Sequence, residues 1–392
     1  MIVNRRGAKW YLCPPMLYYL APILSAYWGP FRLFRSYLFL MIVGAGTAAF
    51  LTWYLLPRTW HILPRDRGRA HTPKPEQAKG KPTGAGFLIV LFMVPLLLLV
   101  LPSSLKFYQI IACLLFAMLA GYGDDRSQSS WGELIKGSLD FVIALFASLA
   151  LCQGEAMTIW FPLHKAFIVV SPIVYVIGAT CLLWLTINTT NCSDGVDGLA
   201  GTLTLLSVFY MAGFLYLIIG HFEISAYLLV PHNVDGARWA VLLLTSAGAL
   251  AGYLWHNAEP SRVLMGDAGS RFLGLLVGLA VLASGNPLLV LVAAPVVLVN
   301  GGTGLVKVAL LRVFRRLGFD ISQPGKNGKQ NGEQDEGNGQ HVVVRVLHKV
   351  RFPLHDHCRK NLHWSNAQVL MRFVLLQAFL TPLLLGFFVK VR

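Results

Sequence analysis

Residues 239–284, WAVLLLTSAGALAGYLWHNAEPSRVLMGDAGSRFLGLLVGLAVLAS, decide the fold. Two apolar runs, 239–255 and 271–284, flank a polar loop that holds Asn257 and Asp267. An uncharged apolar run of nearly ~20 residues is long enough to cross a bilayer as a helix. The stretch therefore reads as two membrane helices joined by a short loop whose polar residues lie at the membrane boundary.

The same pattern recurs along the chain. Further apolar runs cover 35–56, 87–102, 108–122, 138–152, 167–187, 199–219, 287–314 and 369–389, which makes ten candidate spans. Of the 392 residues, 55% are hydrophobic and 13% charged, against about 25% charged in a soluble domain. The fold class is all-α: a polytopic integral membrane bundle of about ten transmembrane helices. Residues 1–34 read as an N-terminal extension with a short interfacial or membrane helix, and 35–392 as one transmembrane domain. Arg5, Arg6 and Lys9 begin the chain, but Pro14, Pro15, Pro22 and Pro30 interrupt the residues after them, so no cleaved leader is expected. The stretch GKNGKQNGEQDEGNGQ has no apolar face, so about 320–340 is expected to be a disordered insert. The six cysteines show no paired spacing, which supports neither a disulfide framework nor a zinc site.

The loops divide into two sets by parity. Segments 57–86, 123–137, 188–198, 256–270 and 315–368 carry 19 of the 33 Lys and Arg residues; the opposite internal loops carry Lys106, Lys165 and Arg238. Positive loops stay in the cytoplasm, so the first set is cytoplasmic. The net charge of +15 is then largely this bias together with contact with anionic membrane lipids. The basic residues flank spans without a reader motif, which argues against nucleic-acid binding.

Every polar cluster falls in the basic set: Asp124 and Asp125 in GYGDDRSQ; Asn188, Asn191, Asp194 and Asp197 in NTTNCSDGVDGLAG; Asn257 and Asp267 in the opening stretch; His355, Asp356 and His357 in RFPLHDHCRKN. Each cluster alone also suits a cap or a turn, where Asp, Asn and Gly are favoured. The second cluster has a three-residue period. If it is helical, Asn191, Asp194 and Asp197 share a face, and Gly195, Gly198 and Gly201 let another backbone come close. Five boundary carboxylates repel one another, and a divalent cation with a phosphate-bearing substrate relieves that repulsion. Oxygen ligands and a diphosphate suit Mg²⁺. His355 and His357, with Arg351, Arg359 and Lys360 alongside, suit a diphosphate-binding loop; the bland reading is a basic loop holding lipid headgroups.

With these residues in view, the chain resembles the polyprenyl-phosphate N-acetylhexosamine-1-phosphate transferase superfamily, and within it the muramoyl-pentapeptide branch. KPTGAGF, GYGDD, NTTNCSDGVDGLAG, MGDAGS and PLHDH carry the resemblance, which covers nearly the whole chain from about residue 16. It implies transfer of a phospho-sugar from UDP-MurNAc-pentapeptide to undecaprenyl phosphate at the cytoplasmic face of the bacterial inner membrane; the other branch would use UDP-GlcNAc. It implies Mg²⁺ on Asp267 with Asp194, catalytic roles for Asp124, Asp125 and Asp267, and substrate binding by Asn188, Asn191, Asp194, Asp197, Asn257, Leu264, Lys307, His355, His357 and Lys79. It also suggests a homodimer. The sequence departs from the family pattern at several positions. Asp356 interrupts a histidine triple, Leu264 replaces an aromatic that stacks on uracil, and Gln128 stands near a missing lysine. Lys307 stands where the family has glutamine, and Lys79 or Lys81 takes the place of a shifted lysine. A transporter remains the rival from another class, although no internal repeat is visible.

Overall fold

The computed structural model describes residues 17–66, 79–102, 104–129, 131–317 and 351–390. The insert expected at 320–340 lies outside them. The chain forms α1 (Leu17–Tyr27), α2 (Tyr37–Thr59), α3 (Ala85–Val100), α4 (Leu105–Arg126), α5 (Glu133–Cys152) and a small antiparallel hairpin, β1 (Met157–Ile159) with β2 (Ile168–Val170). It continues with α6 (Pro172–Ser193), α7 (Leu199–Gly213), α8 (Phe222–Tyr227), α9 (Gly236–Asn257), α10 (Gly266–Ala283), α11 (Val290–Ala293), α12 (Pro295–Arg316), α13 (Leu354–Lys360) and α14 (Asn366–Lys390). Among the described residues nine helices are long and apolar enough to cross a membrane, and α3 adds a shorter apolar helix of 16 residues. Each of the ten expected spans is thus represented.

Two spans differ from expectation. The run 287–314 is not one helix: a 3₁₀ turn (Pro287–Leu289) and α11 precede α12, with Ala294 at φ −134°, ψ 47°. Pro295 is the cause, because its ring disfavours helical geometry in the residue before it. The run 167–187 begins its helix only at Pro172, since Ile168–Val170 pairs with Met157–Ile159.

Helix α10 is the centre of the bundle. It packs against α3, α4, α6 and α7, while α2 lies along α9. Gly121 lets α4 and α10 touch through their backbones: a Cβ there would collide with the carbonyl of Asp267.

Among the described residues the two sets of loops separate in space as their parity requires. One end of the bundle gathers the described residues of the loops after α2, α4, α6 and α9, together with α13. Arg65 bridges to Pro82, the Leu264 N–H donates to the Pro82 carbonyl (2.8 Å), and Arg359 Nη1 donates to the Gly195 carbonyl (3.3 Å). The opposite end joins the other loops. The Trp160 N–H donates to the Gly285 carbonyl, its indole donates to the Ser284 carbonyl, and Asn233 Nδ2 donates to the Ala283 carbonyl.

Candidate active site

Helix α10 begins at the loop-rich end with Gly266 at φ +71°, and a Cβ on that residue would strike Asp125 Oδ2. The first amides of a helix lack partners within it. Here Asp125, from the end of α4, supplies them: its Oδ1 accepts from the Asp267 N–H and its Oδ2 from the Ala268 N–H, both at 3.0 Å. The cap is therefore Asp125, not Asp267, and the side chain of Asp267 is turned to other partners.

Those partners are charged. Lys136 Nζ, one turn into α5, lies 3.1 Å from Asp267 Oδ2 and 2.5 Å from Asp124 Oδ2. The other oxygen of Asp124 accepts from the Trp131 N–H (2.7 Å). Behind them Arg271 Nη1 pairs with Asp140 Oδ1 at 2.6 Å, fully buried, and Arg271 Nη2 lies 3.8 Å from Asp267 Oδ2. Three carboxylates and two cations thus form one buried network at the start of α10.

Beside it opens a cleft lined by Asp66, Thr83, Asp194, Asp197, Leu264 and Gly266, with Asn257 in its wall. Asn257 stitches that wall together: Oδ1 accepts from the Gly198 N–H and Nδ2 donates to the Val263 carbonyl, both at 2.8 Å. Asp197 Oδ2 accepts from the Ser261 N–H (3.2 Å), and Lys81 Nζ donates to the Ser261 hydroxyl (3.1 Å). The helical reading holds for Asn188 and Asn191 and is corrected beyond them: α6 ends at Ser193 and α7 begins at Leu199. Asp194 leaves helical geometry at φ −84°, ψ 72°, and Gly198 turns the chain into α7 at φ +76°, so Asp194 and Asp197 sit on the turn between the two helices. Gly195 receives the His355 imidazole rather than another backbone.

His355 is buried in α13. Its N–H and its Nδ1 both approach Asn300 Oδ1, at 2.9 and 3.1 Å. Since that oxygen accepts from the backbone, Nδ1 carries the ring proton, and Nε2 presents a lone pair. Burial pushes the imidazole down to about 4, so it is neutral near pH 7. His357 Nδ1 accepts from the Arg351 N–H (3.4 Å), and Asp356 pairs with Lys360 (3.3 Å) on its own helix.

The remaining expected residues are more dispersed. Asn191 Oδ1 accepts from the Ser270 hydroxyl of α10 (3.2 Å), which ties it to the centre. Asn188 donates back to the Trp184 carbonyl within α6. Lys79 is exposed, whereas Lys81 reaches Ser261 beside the cleft. Lys307 stands 5.5 Å from the Phe352 ring, on the rim of a separate apolar groove between α6 and α12. Lys136, Arg271 and Trp131 join the site without belonging to any motif of the sequence. One signal exists for Arg271: Asp140 inside an apolar run needs an opposite charge at the same depth.

The site offers hard oxygen donors. Among the described residues no three His, Cys, Asp or Glu side chains form a metal cage. Two carboxylates nevertheless converge on one cation, the Lys136 ammonium. Mg²⁺ is commonly held by one or two carboxylates completed by substrate phosphates, so the residues fit it.

Residues 107–285 match the model of glycosyl transferase family 4. The chain is 45% identical over 372 residues, 94% of its length and 95% of the relative's, to a phospho-N-acetylmuramoyl-pentapeptide-transferase of Treponema pallidum subsp. pallidum. It is 27% identical over 318 residues, 77% of its length and 89% of the relative's, to the protein of that name from Helicobacter pylori.

Proposed function

The chain belongs to the phospho-N-acetylmuramoyl-pentapeptide transferase family, and from that premise we propose how its residues divide the work. The reaction moves phospho-N-acetylmuramoyl-pentapeptide from its UDP-linked precursor to undecaprenyl phosphate. An oxygen of the lipid phosphate bonds to the sugar-linked phosphorus. The bond from that phosphorus to the UMP oxygen breaks, and UMP departs with the electron pair.

Two anions must meet, so catalysis rests on positioning and charge neutralisation. Mg²⁺ held by Asp267 and Asp124, the two carboxylates that converge on Lys136, would neutralise the diphosphate, with Asp194 in the lining of the neighbouring cleft. Asp125 gives both carboxylate oxygens to α10 amides and so sets the place of Asp267. Asp124 is engaged by Lys136 and the Trp131 N–H. Neither carboxylate stands idle as a base. Little base work is needed, because the second pKa of a phosphate monoester is already about 6. The cleft suits the nucleoside: Leu264 offers apolar contact to the base, and Asn257, Asp197 and Lys81 hold its walls. Neutral His355 offers a lone pair, so binding a diphosphate through Nε2 requires it to take up a proton; His357 and Arg359 are the outer phosphate contacts. The basic loops support a cytoplasmic position for this end of the bundle, in the bacterial inner membrane.

The observation that carries this reading is the joining of Asp124, Asp125 and Asp267 in one buried cluster beside a polar cleft. The buried Asp140–Arg271 pair is closed off from solvent (1% and 0% side-chain exposure), which does not suit a transport path. The test is UMP release by the purified chain with undecaprenyl phosphate and Mg²⁺. UDP-MurNAc-pentapeptide should support turnover and UDP-GlcNAc should not. The reverse preference would move the chain to the other branch, and no Mg²⁺ dependence would remove the metal from the reading.

A further inference from the structure

Lys136 occupies a place that a metal would want. Its ammonium lies between two carboxylates, 2.5 Å from Asp124 Oδ2 and 3.1 Å from Asp267 Oδ2, and all three side chains are largely buried. Other contacts hold both residues in place: the Trp131 N–H holds the second oxygen of Asp124, and Asp125 holds the backbone of Asp267. Arg271 Nη2 faces Asp267 from behind at 3.8 Å, with Asp140 as its main partner. Helix α5 is itself anchored at this point, since the Trp184 indole donates to the Gly137 carbonyl (2.9 Å).

Charge decides what this arrangement does. Two buried carboxylates aimed at one point repel each other strongly unless a cation lies between them. Arg271 is committed to Asp140, so Lys136 is the group that meets the need. A divalent ion seated on the same oxygens would bring a second positive charge within a few ångströms of the ammonium. At an effective dielectric near ~20 that repulsion is several kcal/mol.

We propose that Lys136 is the resident counter-cation of the metal seat, holding Asp124 and Asp267 together until a divalent cation displaces it. This rests on the reading of Asp267 as a metal ligand. Mg²⁺ alone then binds weakly, because it must expel an ammonium from two carboxylates. A diphosphate arriving with the metal gives the displaced ammonium new anionic partners, which couples metal loading to nucleotide-sugar binding.

The test uses the full chain in nanodiscs without substrates. MgCl₂ is titrated at constant ionic strength, and the rise in unfolding temperature is followed as a measure of binding to the folded state. For Lys136→Met the half-maximal Mg²⁺ concentration should fall at least about fivefold below wild type; Lys136→Arg should stay near wild type, and Asp267→Asn should show no saturable rise. A smaller fall for Lys136→Met, with saturable binding in wild type that Asp267→Asn abolishes, overturns the counter-cation and leaves the metal ligand standing. Absence of saturable binding in both wild type and Lys136→Met, or unchanged binding in Asp267→Asn, overturns the metal reading and the proposal with it. A second measurement needs no variant: reductive methylation of Lys136, read by peptide mass spectrometry, should accelerate when saturating Mg²⁺ is added. An unchanged or slower rate contradicts displacement.

Discussion

Helices α10 and α14 are both apolar enough to cross a membrane, and they sit in opposite places. In α10 94% of the membrane-spanning stretch is buried inside the protein; in α14 it is 17%, although α14 is the more apolar of the two. In water this would be backwards. In a bilayer, lipid tails solvate leucine as well as a protein core does, so apolarity does not draw a helix inward. Close backbone packing and polar partners do. Helix α10 carries Gly266, Gly269, Gly274 and Gly278 along with Asp267, Ser270 and Arg271, and each of these polar side chains meets a neighbouring helix. Helix α14 shows Phe379, Leu383 and Phe387 to the outside, and its fully buried amide, Gln377, donates to the Leu203 carbonyl and to Ser207 of α7.

The contrast breaks most sharply at Arg271. Arg271→Leu strands the buried carboxylate of Asp140, and losing one partner of a buried pair costs about 3–5 kcal/mol. The double variant Arg271→Leu/Asp140→Leu should recover most of this in a denaturant titration of the detergent-solubilised chain. Equal losses in single and double variants would mean that packing, rather than charge, centres α10.

His355 tests the loop-rich end on which α10 opens. Its folded value, about 4, lies below the ordinary imidazole value of 6.5, so folding favours the neutral ring. The stability it contributes is fully present above pH 6.5 and is lost as pH falls toward about 4, by on the order of 3 kcal/mol. His355→Gln should flatten that portion of the stability-versus-pH curve, and identical curves for the two proteins would show that the ring is not held neutral.

The smallest effect belongs to α14. Phe379→Ala, at a side chain 66% exposed on the lipid-facing side, should change stability by less than about 0.5 kcal/mol. A loss comparable to that of Arg271→Leu would mean that this face is packed against something.

The sequence shows why α10 is recognisable as a span and not as a centre. Runs of apolar residues mark helices, and Lys and Arg counts sort the loops, so the spans and the shared end of Asp124, Asp194, Asp267 and His355 are legible. Pairings across 131–143 residues are not. Nothing local to Asp125 says that it caps a helix starting at Gly266, and nothing local to Lys136 says that it joins Asp124 to Asp267. The turn at Asp194–Gly198 escapes the sequence because a three-residue polar period suits a helix face as well as a Gly-broken loop. The break before α12 does have a local mark in Pro295, which the length of the apolar run around it obscures.

The most direct measurement is the turnover of Asp267→Asn beside its thermal stability. Asp125 already caps α10, so the substitution leaves the helix start intact. Removing one electrostatic element of a transition-state site costs on the order of 10²–10³ in rate. Asp267→Asn should therefore remain folded and release UMP at least about a hundredfold more slowly, with part of the loss recovered at high Mg²⁺. Near wild-type turnover at ordinary Mg²⁺ would contradict a catalytic Asp267 and reduce the network around Lys136 to packing.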